Sequence, residues 1–222
     1  MTAIVVTGTD TDVGKTIATA AIGAALTATG QRVAVYKPTQ TGVSGDEPGD
    51  VAEIERLTGV RGEDGVRLVA PMAPRPAAAL EATTLPMLED HLSRVARLEG
   101  SCDVVLVEGA GGLLVELTEH GETVADLAKA LGAPVVVVVR SALGTLNHTV
   151  LTLEALRSRE IRTLGLVLGS WPADPSVVEL SNRDACETGA VPLLGAIPAG
   201  AGHLSRDEFI AGAPDWLPGL PR

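Results

Sequence analysis

The stretch best equipped for chemistry is Gly8-Thr-Asp-Thr-Asp-Val-Gly-Lys-Thr16, a polar loop bounded by glycines and closed by a lysine and a threonine. An apolar run from Ala3 leads into it, and a helix-like run from Ile17 leaves it. This order suits a phosphate-binding loop. Gly8 and Gly14 let the backbone turn and present its N–H groups, Lys15 reaches outer phosphates, and the Thr16 hydroxyl is offered to magnesium. Gly8 lies six positions before Gly14, one more than the usual spacing. The competing account is a glycine-rich turn with an exposed lysine; strand, loop, Gly-Lys-Thr and helix in succession favour nucleotide.

Other candidates sit at the ends of apolar runs. Lys37 closes Arg32-Val-Ala-Val-Tyr-Lys37, at the edge where parallel sheets place ligands. Position alone also suits a solubilising lysine, and nearness to the phosphate loop tips it toward function. Asp50 is either the cap of a short helix over 51–57 or a carboxylate for a hard cation beside phosphates. Asp46 and Glu47 are weaker candidates for the same cation. Glu108 ends the apolar run from Asp103, and a carboxylate there must be exposed or paired; beside a nucleotide it belongs with magnesium. Gly109, Gly111 and Gly112 permit close approach of a small substrate, or form an ordinary turn. Arg140, Thr145, Asn147 and His148 surround a helix start that either receives a carboxylate or is merely capped. Trp171 either packs on the core or covers a base. His91 is expected on a surface or in packing, and His203 on a surface.

These groups need a scaffold, and the periodicity supplies one. Helical spans are expected over 17–29, from Pro86 through Leu98, over 122–131, into 157, over 176–187 and over 204–211; strands are expected over 32–37, 66–69, 103–108, 134–139, 164–169 and 191–198. Residues 113–117 suggest a short extended piece, Ser170 to Pro175 a turn, and Pro71, Pro74 and Pro76 argue against a regular element there. Strands alternating with helices predict one three-layer α/β nucleoside triphosphate-binding domain over 1–222 with a mainly parallel sheet.

Composition narrows the function classes. The 222 residues carry a net charge of -11, which argues against a broad nucleic-acid surface, and 2% aromatic content argues against a base-stacking platform. Cys102 and Cys186 are far apart and outside any metal-binding pattern, as expected for reduced thiols in the cytoplasm. No basic lead precedes the phosphate loop and no apolar run reaches membrane-span length, so neither signal peptide nor membrane association is expected.

Taken together, these segments resemble the dethiobiotin synthetase family. The resemblance rests on the phosphate loop, Tyr36-Lys-Pro-Thr-Gln-Thr-Gly42, Val107-Glu-Gly-Ala-Gly-Gly-Leu-Leu-Val115, Gly144-Thr-Leu-Asn-His148 and Pro192-Leu-Leu-Gly-Ala-Ile-Pro198, which together span nearly the whole chain. It implies a cytoplasmic homodimer that uses magnesium and ATP, or another nucleoside triphosphate, to close a urea ring on 7,8-diaminopelargonic acid with CO2. Lys37, Lys15 and Thr11 would serve the chemistry. Thr16, Asp50 and Glu108 would hold the metal. The nucleotide would be bound by Asp12, Val13, Gly14, Lys15, Thr16, Ile17 and Glu108, and on its other side by Gly169, Ser170, Ile197 and Pro198. Lys37, Thr41 and Gly111 would meet the diamine, with Gly144 and Asn147 of the neighbouring subunit receiving its far carboxylate. Two departures stand out: Asp12 replaces a frequent glutamate, and Ser170-Trp171 replaces an asparagine that reads adenine in many members. The alternatives are a related glutamine-dependent amide-forming enzyme and a partitioning-type nucleotide switch. The Lys37 segment counts against the first, and the absence of an extra lysine at Thr9 to Thr11 against the second.

Overall fold

The computed structural model describes residues 3–221, so Met1, Thr2 and Arg222 of the expected domain lie outside the described residues. The five valines of β5 (Val135–Val139) are all buried, as a strand covered on both faces requires. β1 (Ala3–Gly8) pairs with it, and β4 (Val104–Gly112) flanks β1 on the other side. Beyond β4 lie β2 (Val33–Gln40) and β3 (Gly62–Arg67); beyond β5 lie β6 (Thr163–Trp171) and β7 (Leu193–Pro198). The order is β3-β2-β4-β1-β5-β6-β7 and the pairs are parallel throughout. The sheet therefore collects the carboxyl ends of β1, β2, β4, β5 and β6 along one edge.

Alternation divides the core into two. Ile4, Val6, Leu106, Val136 and Val138 meet α1 (Lys15–Thr27), α2 (Asp50–Thr58) and α8 (Arg206–Trp216). Val5, Val105, Val107, Val135 and Val137 meet α4 (Leu88–Glu99), α5 (Val124–Leu131), α6 (Thr145–Ser158) and α7 (Val177–Glu187). α1 is buried from Ala18 to Leu26 because the sheet, α2 and α8 all lie against it; its alanines let all three approach. Capping boxes start α5 at Thr123, α7 at Ser176 and α8 at Ser205, each satisfying N–H groups that a helix start leaves free.

The structure corrects several element boundaries. α3 (Pro74–Leu80) forms where prolines seemed to exclude it, because Pro74 and Pro76 occupy its first turn, where missing N–H groups cost nothing. β3 lies at 62–67 rather than 66–69, with two glycines on the sheet edge. β4 continues through Gly109 to Gly112 instead of ending in a loop, and β6 continues through Ser170 and Trp171. Residues 113–117 contain a turn and a single bridge between Glu116 and Thr123. α4 starts at Leu88 rather than Pro86, and α8 extends beyond 211 to Trp216, with Leu217 and Leu220 of the proline-rich end buried. Among the described residues no helix is long and apolar enough to cross a membrane.

Candidate active site

β1 stops at Gly8 and α1 starts at Lys15, so the phosphate loop spans the gap between sheet and helix. Gly14 is the N-cap at φ 93, where a side chain is strained, and it contributes no capping group. The first-turn N–H groups of α1 are thereby left for an anion. A Cβ on Gly14 would lie 2.6 Å from the Gly169 carbonyl oxygen, so the end of β6 buttresses the loop. Lys15 Nζ donates to the Asp10 carbonyl at 3.0 Å. Burial and then the neighbouring Lys37 charge lower the Lys15 pKa from its ordinary value. Arg140, just past β5, donates to the Thr11 carbonyl at 2.7 Å and approaches the Asp10 carboxylate at 3.3 Å. It thus secures the phosphate loop, a role that neither sequence-based account of Arg140 included.

Beneath the loop lies an ionic cluster. Lys37 is only 4% exposed. Its Nζ lies 2.5 Å from Asp50 Oδ2, 2.7 Å from Glu108 Oε1 and 3.3 Å from the Gly109 carbonyl. Thr16 Oγ1 donates to Glu108 Oε1 at 3.1 Å. Burial alone would lower the Lys37 pKa, but Glu108 and Asp50 hold it above its ordinary value. Burial works against ionised Asp50, yet Lys37 keeps that carboxyl below its usual range. Burial pushes the Glu108 carboxyl up, and Lys37 opposes the shift. The donor set fits a hard cation. An ammonium already sits among two carboxylates and a threonine hydroxyl, and among the described residues the buried Glu108 Oε2 has no hydrogen-bond partner. No cluster of three or more His, Cys, Asp or Glu side chains suited to a metal occurs among the described residues; a magnesium ion held here would take its remaining oxygens from phosphate and water.

A cleft of about 700 Å³ opens above this cluster and brings together Thr11, Asp12, Gly14, Lys15, Thr16, Ile17, Lys37, Thr41, Asp50 and Gly111. Glu108 is wholly buried under it, joined through Lys37 and Thr16. Val13 and Gly169 pack together behind the loop, and Ser170 is exposed beyond them. Trp171 pairs in register with Pro198, next to buried Ile197, and none of Gly169, Ser170, Ile197 and Pro198 lines the cleft. Gly144 and Asn147 are exposed at the start of α6 and do not line the cleft of their own chain. Trp171 packs against the second core layer with the Arg183 guanidinium 5.1 Å from its ring centroid. Glu47 accepts from Ser44 N at 2.8 Å and Ser44 Oγ at 2.7 Å, closing its own turn. His91 is buried beside the Tyr36 hydroxyl, and His203 is exposed. Among the described residues Cys102 and Cys186 are buried and form no disulfide, and burial pushes both thiols up, which makes them poor nucleophiles. Met72, Ala73 and Pro74 form a wall of the cleft; only the proline-rich break in the sequence marks that segment.

A family model described as an AAA domain matches residues 2–202. The ATP-dependent dethiobiotin synthetase BioD of Rhodococcus erythropolis is 52% identical, with 94% of this chain and 93% of the relative covered. That of Mycobacterium avium is also 52% identical, with 99% of each covered. Among solved structures, cobyrinic acid a,c-diamide synthase from Mycobacterium smegmatis with bound ATP analog and magnesium superposes with a TM-score of 0.57 at 20% identity, covering 96% of this chain and 93% of the other. At that identity the likeness concerns the fold, in keeping with the parallel sheet and phosphate loop. The near-full-length sequence identity goes further: the chain belongs to the ATP-dependent dethiobiotin synthetase family.

Proposed function

We propose that the cleft closes the cyclic urea of dethiobiotin on 7,8-diaminopelargonic acid, using CO2 and ATP and releasing ADP and phosphate. The observation that carries this assignment is Lys37, buried between Asp50 and Glu108 beside Thr16 of the phosphate loop. One substrate amine adds to CO2 and loses a proton, giving a carbamate. A carbamate oxygen attacks the γ-phosphorus as ADP leaves. The second amine then attacks the carbamoyl carbon, phosphate departs with the transferred oxygen, and loss of a proton leaves the urea ring.

No enzyme nucleophile is required, so positioning and charge carry the catalysis. Lys15 neutralises outer phosphate oxygens, and Lys37 lies between the reacting nitrogens and the γ-phosphate. Thr11 and Thr41 place hydroxyls near the reacting groups, and Gly111 allows the diamine close to the backbone. Thr16, Asp50 and Glu108 would hold magnesium, whose chemistry there is to neutralise phosphate oxygens. The nucleotide extends from Asp12 to Ile17 across to Gly169, Ser170, Ile197 and Pro198. Residues 1–222 act as one domain in a cytoplasmic homodimer, in which Gly144 and Asn147 of the neighbouring subunit receive the substrate carboxylate.

The test supplies the diamine, bicarbonate and magnesium with ATP, CTP or GTP in separate reactions, alongside a control without diamine. Diamine-dependent dethiobiotin is expected, and the preferred triphosphate reports on the Ser170-Trp171 departure. Nucleotide binding without product under all three conditions would overturn the assignment.

A further inference from the structure

α2 carries Asp50 at its first position, yet its N-cap is Gly49, which has no side chain to satisfy the helix start. The missing cap comes from β2. Gln40 is 5% exposed, and its Oε1 accepts from Asp50 N at 2.7 Å while its Nε2 donates to the Thr41 carbonyl at 3.1 Å. Its own carbonyl accepts from Leu68 N at 2.8 Å, so the sheet holds its backbone as well. Gly49 is part of the same device. A Cβ there would lie 2.7 Å from Gln40 Oε1 and 2.9 Å from Gln40 Cδ, although the backbone, at φ -94 and ψ -169, would accept any residue.

We infer that Gln40 is a positioning residue for the cation site: it ties the strand bearing Lys37 and Thr41 to the helix start bearing Asp50, and so fixes where the Asp50 carboxylate stands. This rests on the proposed role of Asp50 as a metal-binding carboxylate. Asp50 reaches the cluster from the first residue of the short helix α2, and among the described residues it is the Gln40 amide that holds that residue's N–H. Without it the helix start is free to fray, and the carboxylate moves with it.

The test measures Mn2+ binding by electron paramagnetic resonance in the presence of saturating ADP, for Gln40→Leu and Gly49→Ala, with Asp50→Asn as reference. Gln40→Leu removes the amide; Gly49→Ala leaves it in the sequence but displaces it from Asp50 N. Both variants should weaken Mn2+ by about tenfold, the usual effect of losing a group that orients a metal ligand. The magnesium concentration that half-saturates turnover should rise by the same factor, while metal-free nucleotide affinity stays within about twofold. Gly49→Ala keeps the test valid if Gln40→Leu folds poorly. Mn2+ affinity within twofold of the parent in the folded variants, with Asp50→Asn impaired, overturns the inference alone. An equal loss of metal-free nucleotide affinity overturns it too, since that is general damage. Unimpaired Mn2+ binding by Asp50→Asn overturns the Asp50 assignment beneath it.

Discussion

An ammonium buried between two carboxylates is tolerable only while all three charges remain together. Lys37 has Asp50 at 2.5 Å and Glu108 at 2.7 Å, so removing it does two separable things. For Lys37→Ala, dethiobiotin formation should fall by at least about 100-fold, as when a transition-state charge contact is lost, while nucleotide still binds. The free variant should also lose about 3 kcal/mol of stability, because the buried Glu108 and the half-buried Asp50 are left without their cation. Magnesium with nucleotide should therefore raise the melting temperature of the variant more than that of the parent, measured by thermal shift. Equal shifts, or near-normal product formation, would count against the role assigned to Lys37. At this scale the sequence was informative wherever a charge ended an apolar run, as Lys37 and Glu108 do. Gln40 left no such trace: it lies in the polar run after Lys37, and its partner at Asp50 is visible only once strand and helix are packed.

The elements follow the same logic. β5 and α1 were readable because an uninterrupted valine run and an alanine-rich helix each have one packing solution. α3 and β3 were not, since prolines in a first helical turn and glycines on an edge strand invert the usual local signals. The glycines after Glu108 looked like a loop and became strand because β1 pairs Gly8 with Gly112. Between β2 and α4 the apolar packing includes a buried polar pair, Tyr36 Oη and His91 Nδ1 at 2.6 Å. Burial, aided by Arg94, lowers the His91 pKa from 6.5 to about 4. With the folded value below the unfolded one, the unfolded chain binds the extra proton first. The contribution to stability is complete above pH 6.5 and is lost as pH falls toward 4. Denaturant titrations at pH 7.5 and pH 5 should show the parent losing about 2 kcal/mol more than His91→Gln over that interval. Identical losses would mean that His91 does not titrate with folding.

For the whole molecule, the decisive question is whether one chain contains a complete site. The nucleotide and Lys37 portions assemble within the chain, whereas Gly144 and Asn147 lie exposed outside the cleft. Near them are large apolar side chains facing outward, with Leu143 87% and Val177 82% exposed, together with Val150 and Leu151 on α6. An apolar surface of this kind suits a contact between subunits, and a two-fold axis would deliver each α6 start to the opposite cleft. This arrangement predicts complementation. Asn147→Ala should weaken diamine binding more than nucleotide binding, and Lys37→Ala should abolish ring closure. Co-expressed in equal amounts, the two variants should form hybrid dimers in about half of cases, each with one damaged and one intact site, because both substitutions fall in the same composite site. Dethiobiotin formation at low diamine should then recover to about one quarter of the parent rate, well above the average of the two variants alone. Activity equal to that average would place Asn147 and Lys37 in the same subunit's site, or Asn147 in none.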